Sequence, residues 1–229
     1  DWNPVIQNIE MPAPDGKGEK NRLKAIKDSM SLVYPKKHTA ANQKSKMPAP
    51  PAPFLGQNLQ GNLYNSSVPN DNDIAISDGN KIVSVQNSTV FKFDMNTWTN
   101  LGYVSLGAFA SVLGNPEVKF DPKVIYDPIQ DKFILVFLNG FTDLTSSITV
   151  AFSTSNDPAS SWNFYELPGN PFSNGLWTDY PMMAMTDQEV FITGNLLYPD
   201  SSWQTGFNET IIWQVNKNSG YTGSSIQAM

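Results

Sequence analysis

The stretch FDPKVIYDPIQDKFILVFLNG, residues 120–140, decides how the fold is interpreted. Its two Asp-Pro pairs begin at Asp121 and Asp127 and flank a short apolar segment, and a longer apolar segment follows. Asp caps free backbone N–H groups and Pro fixes φ, so an Asp-Pro pair beside a strand is typical of a turn. The stretch therefore predicts an opening strand at 123–127 and a buried strand at 132–138. An acidic catalytic or metal-binding site is the alternative interpretation.

The residues on both sides repeat this arrangement. Short β-branched and aromatic segments form three groups, which begin at residues 73, 123 and 180 and so recur after 50 and 57 residues. Four antiparallel strands at about this period indicate a β-propeller blade. A β-sandwich, which needs only about seven strands in all, is the alternative that this internal order disfavours. The predicted strands are 73–77, 81–87, 89–94, 97–102, 123–127, 132–138, 147–153, 162–167, 180–186, 189–198 and 210–216.

The predicted fold class is all-β, an incomplete β-propeller of about three four-stranded antiparallel blades at residues 61–229. An extended Pro/Lys-rich arm, residues 1–60, precedes it, because its composition cannot bury enough apolar surface to form a core. One apolar stripe in the arm predicts a short helix over about residues 20–34 that ends before Pro35. The stripe consists of Leu23, Ile26, Met30 and Val33.

The distribution of charge also separates an N-terminal segment from the body of the chain. Residues 1–50 carry nine Lys and Arg against five Asp and Glu, a net of +4, whereas residues 51–229 carry six against sixteen, a net of −10. Nucleic-acid binding needs clustered cations, so the acidic body argues against it. No stretch approaches the roughly eighteen apolar residues of a membrane-spanning helix. The absence of cysteine removes disulfides, thiolate nucleophiles and thiolate metal sites.

Open sheet edges are expected from the number of blades. A propeller closes with about four to eight blades, and fewer are predicted here. We therefore expect either a longer polypeptide or protein partners at the open blade edges, and a protein partner that contacts the N-terminal arm. The chain begins with DWNP, without an initiator Met or an apolar targeting segment. This start predicts a removed signal peptide and export, with a fragment as the alternative.

Four motifs occur in one order along the chain: SVPNDNDIAISDGNKIVSVQNSTVFKFD, FDPKVIYDPIQDKFILVFL, ITVAFSTSNDPASSWNFYEL and WTDYPMMAMTDQEVFITGNLL. Together they span about Ser67 to Leu197 and resemble a family of secreted bacterial β-propeller proteins, sialidase-like but non-catalytic. The family's usual Gly-rich opening turn is here replaced by residues 70–73. The resemblance implies an exported protein that is secreted or associated with the cell surface or outer membrane. The Pro-rich N-terminus is similar to envelope proteins of gliding, type IX-secreting Gram-negative bacteria.

The segment SNDPASSW, residues 155–162, is similar to the Asp-box, Ser-x-Asp-x-Gly-x-Thr-Trp, with Ala159 at the Gly position and Ser161 at the Thr position. In that turn the acid hydrogen-bonds the backbone of a hairpin and the Trp packs beneath it. The resemblance implies structural roles for Asp157 and Trp162. Structural turn roles are also predicted for Asp121, Asp127 and Asp179.

Catalytic chemistry has few candidates. A sialidase needs several arginines to hold a carboxylate, whereas the single Arg of this chain, Arg22, lies in the arm. The single His, His38, also lies in the arm, which disfavours a histidine base held by a rigid core. A glycosidase needs only two carboxylates about 5 to 9 Å apart, which the body could supply. No catalytic residue is predicted.

Three weaker kinds of site remain. Clustered Asp and Asn oxygens suit Ca²⁺, although the expected state is without cofactor. Flat aromatic rings near loops could stack on a glycan, with packing between blades as the alternative. The Asp28-Ser29-Met30 segment resembles an O-glycosylation motif of the bacteria named above, which makes Ser29 a candidate. The candidate calcium ligands are Asp71, Asp73, Asp121 and Asp127, and the candidate ligand-facing aromatics are Trp98, Trp177, Tyr180 and Trp203.

Together these observations predict a non-enzymatic, exported β-propeller protein that acts in binding or envelope assembly, as cargo or as a component of a type IX secretion or gliding machine. Two alternatives stay open. One is a carbohydrate-active enzyme whose catalytic acids lie partly in blades beyond those predicted here. The other is a purely structural scaffold.

Overall fold

The computed structural model describes residues 17–34, 56–63, 69–201 and 203–226. The chain divides into two compact units, Asp1–Asn58 and Leu59–Met229. The first unit contains helix α1 (Lys17–Val33), which confirms the predicted helix and begins three residues earlier than expected. The apolar stripe of this helix is solvent-exposed, from 43% at Ile26 to 70% at Val33. Within the described residues, no helix is long and apolar enough to cross a membrane.

The second unit is all-β, with three antiparallel sheets in which each strand pairs with its neighbour in sequence. Sheets 1 and 2 have four strands each and sheet 3 has three. Sheet 1 contains β1 (Asp73–Ile76), β2 (Lys81–Gln86), β3 (Thr89–Asp94) and β4 (Thr99–Ser105). Sheet 2 contains β5 (Lys119–Asp127), β6 (Lys132–Asn139), β7 (Ser147–Ser153) and β8 (Trp162–Pro168). Sheet 3 contains β9 (Trp177–Met185), β10 (Glu189–Leu197) and β11 (Phe207–Asn216).

Three short helices connect or follow these strands: α2 (Leu106–Phe109), α3 (Trp203–Gly206) and α4 (Lys217–Thr222). Each of the eleven predicted strands is present and paired. The boundaries differ by up to four residues: β5 begins four residues before the prediction, β9 and β11 begin three before it, and β4 ends three after it. The early starts of β5 and β9 have a common cause. Each contains a β-bulge, between Phe120 and Lys123 in β5 and opposite Thr193–Asn195 in β9. Both are edge strands, where a Pro at a bulge removes no essential ladder bond.

Strand β6 explains the long apolar segment of the sequence. Sheet 2 lies between the other two sheets, so β6 is buried on both faces. Phe133, Leu135 and Phe137 pack toward sheet 1, whereas Ile134 and Val136 pack toward sheet 3. A strand covered on both sides has no polar face, which is why KFILVFL lacks the alternation of a half-buried strand.

Candidate ligand site

The first strands of the three sheets lie beside one another, because β5 contacts both β1 and β9. Between them is a cavity of about 490 Å³. One continuous segment of each first strand lines this cavity: Asp73–Ala75 of β1, Lys123–Tyr126 of β5 and Met182–Met185 of β9. The same structural position of each repeat therefore faces a common space.

In each sheet, one residue just before or within the first strand has a backbone conformation in the left-handed region. The three residues occupy equivalent positions in their repeats. These residues are Asp71 (φ 42°), Asp121 (φ 50°) and Tyr180 (φ 52°). Asp adopts this conformation more readily than most residues, whereas a bulky residue held there costs on the order of 1–3 kcal/mol. The Tyr180 ring is exposed, and Lys123 Nζ lies 5.7 Å from its centroid.

Asn87, in the turn between β2 and β3, links two of these positions. Its Nδ2 donates to Asp71 Oδ2 at 3.3 Å, and its Oδ1 accepts a hydrogen bond from the Asp121 backbone N–H at 3.2 Å. Asp73 makes a second link, since its Oδ2 accepts from the Val124 backbone N–H at 3.0 Å. Polar side chains of sheet 1 therefore hold the first strand of sheet 2.

The carboxyl groups of Asp71, Asp121 and Asp179 are close enough to influence one another. Burial is the largest cause that raises the pKa of Asp121 to about 7, and the negative charges of Asp179 and Asp71 contribute to the same shift. Burial also raises the pKa of Asp179, and the Asp71 charge adds to this effect, while a hydrogen bond from the Tyr180 backbone opposes it. At neutral pH the Asp121 carboxyl is thus present in both protonation states, and its protonated form can donate a hydrogen bond.

Aromatic rings form the other wall of this site. A second cavity, of about 480 Å³, is lined by Phe120, Phe141 and Trp177 together with Asp121 and Asp179. The rings of Phe120 and Phe141 stack with centroids 4.6 Å apart, and Trp177 meets Phe141 edge-on at 6.3 Å. Phe141 is half exposed. A carboxyl pair beside aromatic rings can hydrogen-bond hydroxyl groups and stack against an apolar ring face.

The structure brings some candidate aromatics to this site and leaves others elsewhere. Trp177 lines the second cavity, and Tyr180 directly follows Asp179 in β9. Trp98 instead packs edge-on against Phe93, with centroids 5.3 Å apart, at the far side of sheet 1. Trp203 is the first residue of α3.

The Asp-box-like segment forms a turn between β7 and β8. Asp157 Oδ1 accepts from the Ala159 backbone N–H at 3.0 Å, and Trp162 Nε1 donates to the Pro158 carbonyl at 3.0 Å. The Trp162 ring packs edge-on against Phe109 of α2 at 5.2 Å. None of these residues lines either cavity.

The four candidate calcium ligands do not converge. Asp127 closes the far end of β5, six residues from Asp121, which is roughly 20 Å along a strand. Its Oδ2 is 2.7 Å from Lys217 Nζ and accepts from the Tyr221 hydroxyl at 3.0 Å. Both oxygens of Asp73 accept backbone N–H groups. Across residues 69–201 and the other described ranges, no group of three or more His, Cys, Asp or Glu is placed to hold a metal ion.

Three residues that contact the candidate aspartates could not be predicted from the sequence. Asn87 lies in a turn, and nothing in its neighbourhood indicates that it reaches both Asp71 and Asp121. Lys217 and Tyr221 follow the last strand, 90 or more residues after Asp127. The one indication is compositional, because Lys217 is one of only six cations in an acidic body.

Comparisons with known proteins add little. No protein-family model matches the chain, and no curated protein matches it. A solved structure of a mutant Synechocystis apocarotenoid oxygenase is similar at 14% identity with a TM-score of 0.35, over 69% of this chain and 33% of that chain. A match at this TM-score carries no argument about fold or activity.

Proposed function

We propose that residues 59–226 form successive blades of a β-propeller, and that the protein acts outside the cell by binding and assembly rather than by catalysis. The observation that carries this proposal is the cavity shared by β1, β5 and β9. Propeller blades are antiparallel sheets arranged around a central channel, and sheets stacked with their first strands around one space fit that geometry. The Asp-box-like turn supports the same assignment.

The partners in this proposal are of two kinds. Protein partners contact the N-terminal arm and the open blade edges, which suits cargo or a component of a type IX secretion or gliding machine. The second partner is a glycan held at the site of Asp121, Asp179 and Trp177. A carboxyl group that exchanges its proton near neutral pH can both donate to and accept from sugar hydroxyls, and aromatic rings offer a flat apolar surface.

One observation favours a second candidate, a carbohydrate-active enzyme. Asp121 and Asp179 line the same cavity, and the raised pKa of Asp121 suits a general acid. The hydrogen bond between the two carboxyl groups holds them closer than the roughly 5 to 9 Å of a glycosidase pair, so the second carboxyl group of such an enzyme would have to come from elsewhere. The described part of the body contains no arginine or histidine, so any such chemistry would depend on carboxyl groups.

A single experiment separates the candidates. The purified chain is incubated with insoluble polysaccharides and with outer-membrane material from the producing bacterium, and both retention in the pellet and release of reducing ends are measured. We expect saturable retention without release of reducing ends. Replacement of the ring in Trp177→Ala should weaken retention about tenfold or more, whereas the exposed Asp187→Asn control should leave it unchanged.

Other outcomes assign the protein differently. Release of reducing ends that disappears in Asp121→Asn would contradict the binding proposal and support the enzyme. Absence of both retention and release would contradict both and leave the structural scaffold. Asp121→Asn keeps the size of the side chain and should therefore leave the fold unchanged. Circular dichroism of each variant checks that it is folded.

A further inference from the structure

Helix α1 (Lys17–Val33) is amphipathic, and its apolar stripe is open to solvent. The Tyr34 backbone N–H donates to the Met30 carbonyl at 2.8 Å, so the helical path continues to Tyr34, one turn beyond Met30. Every residue from Asn21 to Tyr34 is exposed, and the exposed fraction is 56% at Met30 and 73% at Tyr34. The members of the stripe lie along one side of the helix, at spacings of three, four and three residues: Leu23, Ile26, Met30 and Val33.

Positively charged residues lie at both borders of the stripe. Successive residues of an α-helix are rotated by about 100° around its axis. By this rotation Arg22 lies about 20° beyond Val33 at one border, and Lys27 lies about 20° beyond Tyr34 at the other. Asp28 falls on the opposite side of the helix. The stripe therefore has a cation along each edge and a carboxylate behind it.

The sequence around the helix has the same sign of charge. Residues 17–46 contain nine Lys and Arg against two Asp and Glu, a net of +7, whereas residues 51–229 have a net of −10. An anionic surface attracts the first segment and repels the second, most strongly at low salt. Attachment to such a surface is therefore expected through the helical segment and not through the acidic body.

We propose that α1 lies on the surface of a membrane that contains anionic lipids. The stripe enters the boundary between headgroups and acyl chains, and the helix axis stays parallel to the membrane plane. Arg22 and Lys27 extend from the two borders to the anionic headgroups, with their methylene carbons along the apolar region. Tyr34 lies at the end of the stripe, where an amphipathic ring suits the interface. This goes beyond the proposed function, which assigns protein partners to the arm, and does not depend on the propeller assignment.

Two observations favour a lipid surface over a groove in a protein. The stripe from Leu23 to Val33 is about 15 Å long. A groove would need acidic groups along both rims over that length, whereas anionic headgroups surround an inserted helix on every side. The four side chains of the stripe also include no aromatic ring, although the residues that anchor protein interfaces are enriched in Trp and Tyr, with Leu and Val under-represented. Acyl chains accept apolar side chains without a fixed shape.

The border cations determine how strongly anionic lipid is preferred. Each Lys or Arg near an anionic surface strengthens attachment about fivefold. Arg22 and Lys27 together therefore predict a preference of about twentyfold for anionic over neutral lipid. Added salt shortens the range of this attraction, so the preference should decrease as the salt concentration rises.

Cosedimentation of the full chain with lipid vesicles tests this proposal. One set of vesicles contains phosphatidylcholine alone, and the other contains an equal mixture of phosphatidylcholine and phosphatidylglycerol. We expect attachment to the mixed vesicles to be about twentyfold stronger. The double variant Arg22→Gln with Lys27→Gln should lose most of this preference, while its weaker attachment to phosphatidylcholine should stay the same.

A second double variant tests the stripe itself. Ile26→Gln with Met30→Gln should weaken attachment to the mixed vesicles about tenfold or more, because two apolar side chains no longer enter the lipid. Ala25→Gln with Leu32→Gln is the matched control. It places the same two Gln side chains on the opposite side of the helix, where Leu32 is 84% exposed, and should attach like the natural chain. Gln is a good helix former, and circular dichroism checks that each variant keeps its helix.

Four results would overturn the proposal. They are no attachment to either kind of vesicle, equal attachment to both kinds, an equal loss in the stripe variant and its control, and retention by outer-membrane material without attachment to protein-free vesicles. The last result would assign the stripe to a protein partner. Failure here is distinct from failure of the glycan proposal, because retention on polysaccharide depends on Trp177 and should be the same in every α1 variant.

Discussion

Lys217 Nζ lies 2.7 Å from Asp127 Oδ2, and both side chains are almost completely withdrawn from solvent. The Tyr221 hydroxyl donates to the same oxygen at 3.0 Å, while Asp127 Oδ1 accepts from the Ile129 backbone N–H. The pair joins helix α4, which follows sheet 3, to the turn between β5 and β6 of sheet 2. An aspartate that caps a turn is thus also the anchor for the segment after the last strand.

The first prediction concerns this pair. Lys217→Met keeps most of the side-chain volume but leaves the Asp127 carboxylate buried without its cation. Breaking a buried ion pair from one side costs about 3–5 kcal/mol of unfolding free energy, which urea denaturation would measure.

The double variant Asp127→Asn with Lys217→Met is the control for that measurement. With both charges removed, it should lose less stability than Lys217→Met alone. A Lys217→Met variant as stable as the natural chain would contradict the buried pair.

The second prediction concerns pH. Burial together with the Asp179 and Asp71 charges raises the pKa of Asp121 to about 7, whereas an unfolded Asp has a pKa of about 3.9. Between these values the unfolded chain releases the proton and the folded chain keeps it. This group's contribution to stability is therefore fully present below about pH 4 and is lost as pH rises toward 7.

Asp121→Asn should remove this dependence, because an amide does not ionise. The melting temperature of the variant minus that of the natural chain should increase from pH 4 to pH 7 and then level off. Asp187→Asn, at an exposed loop position, should give a constant difference. A difference for Asp121→Asn that falls over the same range would mean that the carboxyl is not held in its protonated form.

The third prediction distinguishes an aromatic ring in the core from an aromatic ring at the candidate ligand site. Phe137 is fully buried between sheets 1 and 2, so Phe137→Ala should lower the free energy of unfolding by about 3–5 kcal/mol. Phe141 is half exposed, and Phe141→Ala should cost much less stability while weakening retention on polysaccharide. Equal losses of stability in chemical denaturation would contradict the placement of the two rings.

The fourth prediction concerns calcium. The geometry spreads Asp71, Asp73, Asp121 and Asp127 over both ends of β5, and several of their oxygens already accept protein hydrogen bonds. A chelator should therefore leave the melting temperature unchanged. A rise in melting temperature on addition of Ca²⁺, absent in Asp71→Asn, would instead identify a calcium site.

The strands were predictable because their signals are local. Residues 133–138 are all apolar, and four of the six are β-branched or aromatic. They lie between an Asp-Pro turn and an Asn-Gly pair, so both the strand and its burial follow from composition. The early starts of β5 and β9 were not predictable in the same way. Pro122 and Pro181 predict a break in the strand. Each strand instead continues through a bulge, because it lies at the edge of its sheet and its outward side needs no hydrogen-bond partner.

The site was harder to predict, because it depends on how separate sheets meet. Asp121 and Asp179 lie 58 residues apart, and each alone has the sequence signature of a turn residue. Their shared cavity results from the stacking of sheets 2 and 3, which no local pattern encodes. Asn87 illustrates the same limit, since its bridging role depends on the first strand of the following sheet.

Sheet 2 is stacked between sheets 1 and 3, and the three first strands surround one cavity. Hydrogen exchange followed by mass spectrometry tests this most directly. Peptides covering β6 should exchange most slowly, at the rate of global unfolding, while β4 at the edge of sheet 1 should exchange much faster. Exchange of β6 as rapid as that of β4 would contradict the stacked arrangement.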